Sequence, residues 1–179
     1  MDDLEWLATK VGTFAVSPTG IQGVAPSPAG IIVEPTHITQ ARKLSDHVIA
    51  LAGWPTGRHH TLVKAAEARL AGETGASEVW VVVDKLSDET ATLSELIALR
   101  QSVEPPVRLG AIVPQGQEAV AVQAGVDVIA VEYGSDIPAG EVAVYGAVPD
   151  LEATIELLSA GASRVFAADP MAALGQGQT

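Results

Sequence analysis

The sequence predicts an α/β fold, a sheet of parallel strands covered by helices. Three observations carry that prediction. Hydrophobic residues make up 47% of the chain and aromatics only 4%, so the core is built from Ala, Val, Leu and Ile, as in strands buried beneath helices. From about residue 30 onward, short and nearly continuous apolar runs alternate with segments of helical composition, the pattern of a parallel sheet with crossover helices. The length of 179 residues suits one domain, because two of ordinary size need roughly 200 residues or more.

Seven strands follow from the runs at 31–33, 48–51, 79–83, 109–113, 128–131, 142–145 and 164–167. Helical composition occupies 36–46, 59–74, 88–103, 117–124 and 151–160. Ser87 or Asp88 can accept N–H bonds at a helix start, while Gly75, Gly125 and Gly161 stand where a left-handed residue ends a helix. Before residue 30 the pattern is less regular. Residues 3–10 read as a short helix, 13–16 as an eighth strand, and Ser17-Pro18-Thr19-Gly20 and Ala25-Pro26-Ser27-Pro28 as turns. An eighth strand lets the sheet close, and the lack of helical composition between Val16 and Ile31 predicts an abbreviated N-terminal β/α unit. The expected organisation is a single barrel domain over 1–179, with a divergent part at 1–29 and a frayed tail at 175–179.

Composition excludes several classes of function. Without Cys there is no disulfide framework, thiolate metal site or cysteine nucleophile. No apolar run approaches the ~20 residues of a membrane span, and Met1-Asp2-Asp3 offers no basic leader, so a cytoplasmic protein without a membrane partner is expected. A net charge of −12, with ten scattered Lys and Arg, repels polyanions and argues against nucleic acid. The same field disfavours an anionic sugar phosphate unless a local pocket reverses it.

Two stretches then resemble the deoxyribose-phosphate aldolase family. Gly53-Trp54-Pro55-Thr56-Gly57 is similar to its G-F-P-x-G turn, and Thr61-Leu62-Val63-Lys64-Ala65-Ala66-Glu67-Ala68 to its T-x-x-K-x-x-E-A helix. Further matches run in family order: Val33-Glu34-Pro35 with V-N-P, Gly75-Ala76-Ser77-Glu78-Val79 with G-A-x-E-[IV], Ala124-Gly125-Val126-Asp127-Val128-Ile129 with A-G-x-D-F-I, and Gly161-Ala162-Ser163-Arg164-Val165 with G-A-x-R-I. The resemblance implies a TIM-type (β/α)8 barrel and a lyase that works through a lysine Schiff base, with a second lysine to depress the first one's pKa and an aspartate to relay protons.

At the positions that the resemblance marks for this chemistry, the residues differ. The Schiff-base lysine follows A-G-x-D-F-I directly, where this chain has Ala130. Its activating lysine corresponds to Ala143 and the relay aspartate to Trp80. No lysine occurs after Lys85. Phosphate binding, which the resemblance places after the last two strands, is doubtful at Gly146 and Ala147, because the following arginine is Pro149 and the serine pair is Ala168-Asp169.

The C-terminal ends of barrel strands form the functional face, and Glu34, Trp54, Asp84, Lys85, Gln115, Glu132, Tyr133, Tyr145 and Asp169 are the candidates for it. Lys85 reads as a relocated amine or as a surface lysine paired with Asp84 or Asp88, and the second reading prevails. Glu132 and Asp169 read as paired carboxylates or as solvated loop ends; lacking a His–carboxylate spacing, they define no metal site. His59-His60 point ~100° apart on a helix and suit a cap better than a metal. Trp80 and Tyr145 can stack a planar ligand, but bulky aromatics in a small barrel more often fill it. The expectation is therefore a catalytically inactive homologue with a binding, regulatory or structural role and no cofactor. Its partners would be a small molecule at the barrel mouth, a second copy of the chain or an active paralogue. The alternative is an active carbon–carbon lyase on 2-deoxy-D-ribose 5-phosphate, or another sugar-phosphate-like substrate, using a rearranged site.

Overall fold

In the computed structural model, which describes residues 1–177, eight parallel strands close into a barrel in chain order. They are β1 Val11–Phe14, β2 Ile31–Val33, β3 Val48–Ala52, β4 Glu78–Val82, β5 Arg108–Ile112, β6 Val128–Glu132, β7 Val142–Gly146 and β8 Arg164–Ala167. Closure comes from β1, whose Thr13 stands opposite Ile31 of β2 and whose Val11 stands opposite Val165 of β8. The helices are α1 Asp3–Ala8, α2 Ile38–Ala41, α3 Thr61–Thr74, α4 Glu89–Ser102, α5 Glu118–Gln123, α6 Leu151–Ser159 and α7 Pro170–Ala173. This is a TIM-type (β/α)8 architecture.

Alternation along each strand separates two packing layers. Val79, Val81 and Val83 of the β4 segment face outward into a layer shared with Leu96 and Leu99 of α4. Trp80 faces inward, among Ile32, Ile49, Leu51, Val128 and Phe166. The helices end as their punctuation dictates. Asp88 accepts from the Ala91 N–H at 2.8 Å to start α4, and Gly75 closes α3 at φ 115°.

Several expectations are corrected. The first strand runs Val11–Phe14 instead of 13–16; it includes Gly12, a weak strand former whose place is set by the Phe166 ring, which a side chain there would meet at 2.6 Å. Of the helix expected over 36–46, only Ile38–Ala41 is α-helical, because Lys43 and Leu44 bond three residues back, to Gln40 and Ala41, and tighten the chain. No helix joins β1 to β2, so the first β/α unit is abbreviated; none joins β6 to β7 either, among the described residues. The four-residue α7 was not anticipated, although Asp169-Pro170 carries its signal, a capping side chain followed by Pro at the first helical position. Nor is the tail free throughout: the Gly175 and Gln176 amides bond to Ala172 and Met171. Residues 178–179 of that expectation lie outside the described residues.

Candidate functional site

Inside the barrel the structure brings together the three positions singled out in sequence. Trp80, Ala130 and Ala143 belong to one interior cluster, and Ala130 and Ala143 are opposite partners on β6 and β7. The small alanines leave space that aromatic rings fill. Trp80, fully buried, stands 5.7 Å from Phe166 and 6.1 Å from Tyr145 between ring centroids. Tyr145 in turn meets Phe14 at 5.3 Å and Trp54 at 6.0 Å. Five of the chain's seven aromatic residues thus form one stack from the barrel's middle to its mouth. Gly110 on β5 makes it possible, since a Cβ there would lie 2.3 Å from the Trp80 ring.

Beneath the stack the N-terminal end of the barrel is closed by ions. Glu78, buried at the start of β4, accepts the Trp80 indole N–H at 2.5 Å and the Arg164 guanidinium at 3.0 Å. Arg108 lies 3.6 Å from Glu78 and also binds Glu141. Sequence reasoning missed this network, because its members are scattered from residue 78 to residue 164 and only closure of the sheet makes them neighbours.

At the C-terminal end, a groove of about 710 Å³ opens between the ends of β5, β6 and β7 and the loop that replaces the missing helix. Ala130 and Tyr145 form part of its floor, and Lys85, Gln115, Glu118, Glu132 and Asp136 stand around it. Lys85 is exposed. Its expected partners are engaged elsewhere: Asp84 pairs with Arg58 at 3.2 Å, and Asp88 caps α4. The Leu86 N–H bond, with Arg58 beside it, holds the Asp84 carboxyl below the usual range. Burial raises the pKa of the Tyr145 hydroxyl, and the charge on Glu132, its opposite neighbour on β6, adds to the effect.

The remaining candidates fall outside this groove. Asp169 turns back to cap α7, accepting from Ala172 N–H at 3.2 Å. Glu34 is exposed before the turn that leads into α2. Trp54 packs on Phe14 and Tyr145, and Tyr133 is partly exposed beside the groove's loop. His60 caps α3 through Nδ1, accepting from Leu62 N–H at 3.2 Å. No group of three or more His, Asp or Glu able to hold a metal occurs among the described residues. Around Gly146, the amides of Val148 and Ala168 both bond to the Gly146 carbonyl.

The motif that carries the resemblance is structural here. Lys64, 1% exposed on α3, donates to the Gly57 carbonyl at 2.8 Å and the Val82 carbonyl at 3.1 Å, and pairs with Glu95 of α4 at 2.6 Å. Glu67 accepts the Gly53 N–H at 2.8 Å. Helix α3 therefore holds both ends of the Gly53–Gly57 turn, and so positions Trp54 over the barrel mouth.

A closed parallel barrel with its open groove at the strand ends defines a protein of the TIM-type (β/α)8 class. Comparison with known proteins narrows this further. No family model matches the chain. Deoxyribose-phosphate aldolase of Nocardia farcinica is 31% identical over 149 residues, covering 66% of this chain and 67% of the relative. That of Corynebacterium jeikeium is 36% identical over 110 residues, covering 59% of this chain but only 42% of the relative. Among solved structures, the tetrameric deoxyribose phosphate aldolase of Aeropyrum pernix superposes with a TM-score of 0.76 at 17% identity, over 97% of this chain and 92% of that one. The chain belongs to the deoxyribose-phosphate aldolase family.

Proposed function

We propose that this family member is catalytically inactive and acts as a binding, regulatory or structural protein. The observation that carries the reading is the filled lumen. Where the resemblance implies a relay aspartate, a fully buried indole is seated in the space that Gly110 leaves. Ala130 and Ala143 present no nitrogen that can add to a carbonyl. Phosphate recognition is weakened as well. The amides of Val148 and Ala168 are spent on the Gly146 carbonyl, and Asp169 places a carboxylate at the start of α7, where an anion would otherwise find free N–H groups. A single barrel domain, cytoplasmic residence and self-association complete the proposal. No described helix is long and apolar enough to cross a membrane, and the Aeropyrum pernix relative is tetrameric.

A second reading has one observation in its favour: Lys85 lines the same groove as Ala130. An amine there could serve a rearranged carbon–carbon lyase acting on 2-deoxy-D-ribose 5-phosphate or a similar sugar phosphate. Reductive trapping separates the two. The protein is incubated with acetaldehyde or the sugar phosphate, reduced with borohydride and mapped by mass spectrometry against the urea-unfolded chain. The inactive reading expects no labelling above that control. A selective adduct on Lys85, lost in Lys85→Gln, would establish the lyase instead.

A further inference from the structure

We propose that the groove between the ends of β5, β6 and β7 binds a small organic cation, with its ammonium group seated between the Glu132 carboxylate and the Tyr145 hydroxyl. This rests on the reading that the barrel no longer processes a sugar phosphate, and it names the class of ligand that the same mouth now suits.

Charge is the first argument. Glu118, Glu132 and Asp136 line the groove against one amine, Lys85, in a chain whose net charge is already −12. A cleft lined by one sign of charge concentrates ions of the opposite sign. A phosphate meets the reverse situation, facing three carboxylates with one amine to offset them.

The second argument is independent of charge. Tyr145 is only 5% exposed and lines the groove, yet its hydroxyl has no hydrogen-bond partner among the described residues. The hydroxyl itself is not buried, so it opens to the groove and is free to bond a ligand there. The strand register puts Glu132 directly opposite Tyr145. A carboxylate and a hydroxyl lone pair side by side accept two N–H bonds from one ammonium, while Lys85, which carries only donors, cannot substitute for either. Ala130, Ile112 and Ile137 give the same groove an apolar wall for an alkyl stem. The groove's volume of about 710 Å³ is of small-molecule size.

The test is calorimetric titration of the full chain with 1,4-diaminobutane as the probe. 2-Deoxyribose 5-phosphate, 1-butanol and a short lysine-rich peptide are titrated in parallel. The diamine is expected to bind saturably at one site and to weaken as salt is added. Glu132→Gln should weaken it about tenfold or more. Tyr145→Phe, which keeps the ring in the aromatic stack, should weaken it several-fold; thermal melts confirm that both variants fold. The alcohol should not bind. Absence of saturable diamine binding, or unchanged affinity in Glu132→Gln, overturns this proposal and leaves the inactive reading intact. Binding of the sugar phosphate with no binding of the diamine overturns both. Capture of the peptide but not the diamine overturns the small-molecule claim in favour of a protein partner's basic side chain.

Discussion

Trp80 and Gly110 should behave as one energetic unit. Trp80 is fully buried, and truncating such a side chain to Ala costs about 3–5 kcal/mol through lost transfer energy and the cavity left behind. The indole N–H bond to Glu78, 2.5 Å long, goes too, but Glu78 keeps Arg164 and Arg108, so little is added for an orphaned acceptor. Against a total stability of about 5–15 kcal/mol, Trp80→Ala should lower Tm by roughly 6–20 °C in a chain of this size. Gly110→Ala acts oppositely in the two backgrounds. In the parent, the new Cβ would sit 2.3 Å from one ring atom and 2.7 Å from the indole nitrogen, an overpacking that costs about 1–3 kcal/mol. With Trp80 removed the clash disappears, and alanine is better than glycine in a strand by about 0.5–1 kcal/mol. A double-mutant cycle by urea denaturation should therefore return a coupling energy of about 2 kcal/mol or more. Trp80→Ala within about 1 kcal/mol of the parent, or Gly110→Ala costing the same in both backgrounds, would refute the plug and make Trp80 a surface for a stacked ligand.

Lys64→Met should cost about 3–5 kcal/mol by urea denaturation, because it leaves Glu95 with only the Thr61 hydroxyl and takes the ammonium away from the Gly57 and Val82 carbonyls. A loss under about 1 kcal/mol would mean that the Gly53–Gly57 turn is held by other contacts. For Asp127, burial pushes the carboxyl pKa up, but the Leu109 N–H bond and Arg100 outweigh it, and the folded-state pKa lies below the ordinary value. Its stabilisation is then fully present above the unfolded pKa and fades as pH falls through the folded one. Asp127→Asn should thus cost about 1 kcal/mol near neutrality, a solvent-screened amount, and melts of parent and variant should converge below about pH 4. Ala130→Lys should yield no measurable retro-aldol turnover. The carboxylate of Glu132 favours the charged amine, and Ala143 supplies no second cation to depress its pKa; turnover by this single variant would show that the rest of the site survives.

Much of the fold was legible because buried parallel strands write themselves as apolar runs. The runs at 31–33 and 164–167 coincide with β2 and β8, and the other strands differ at their ends by a residue or two. Reading failed where a residue serves a distant partner. Gly12 breaks strand propensity locally but clears the Phe166 ring across the barrel. Lys64 looks like any surface lysine in a helix, and its burial depends on carbonyls 7 and 18 residues away. At the site, alternation along the 79–83 run already put Trp80 on the face opposite Val79, Val81 and Val83. The depth of the aromatic stack was not readable, since Phe14, Trp54 and Tyr145 meet only once the sheet is closed. Asp169 was read as a free carboxylate although Asp-Pro is a helix-start signal, and weighing that signal would have found its cap.

The residues inside the barrel are best understood as one interlocked core. Each large ring is matched by a missing side chain on another strand, Trp80 by Gly110 and Phe166 by Gly12. Such pairs cannot be changed one at a time, because altering a single member leaves either a void or a clash. The ionic floor is tied to the same exchange. Glu78 spends one of its bonds on the Trp80 indole, so an aspartate at position 80 would remove that donor and bring a second carboxylate close to the first. Arg108 would be slow to compensate, since Glu141 already occupies it. Trp80 thus links the packed lumen to the buried charges beneath it, and on the proposed reading a working Schiff-base site would require the floor, the filling and both lysines to change together.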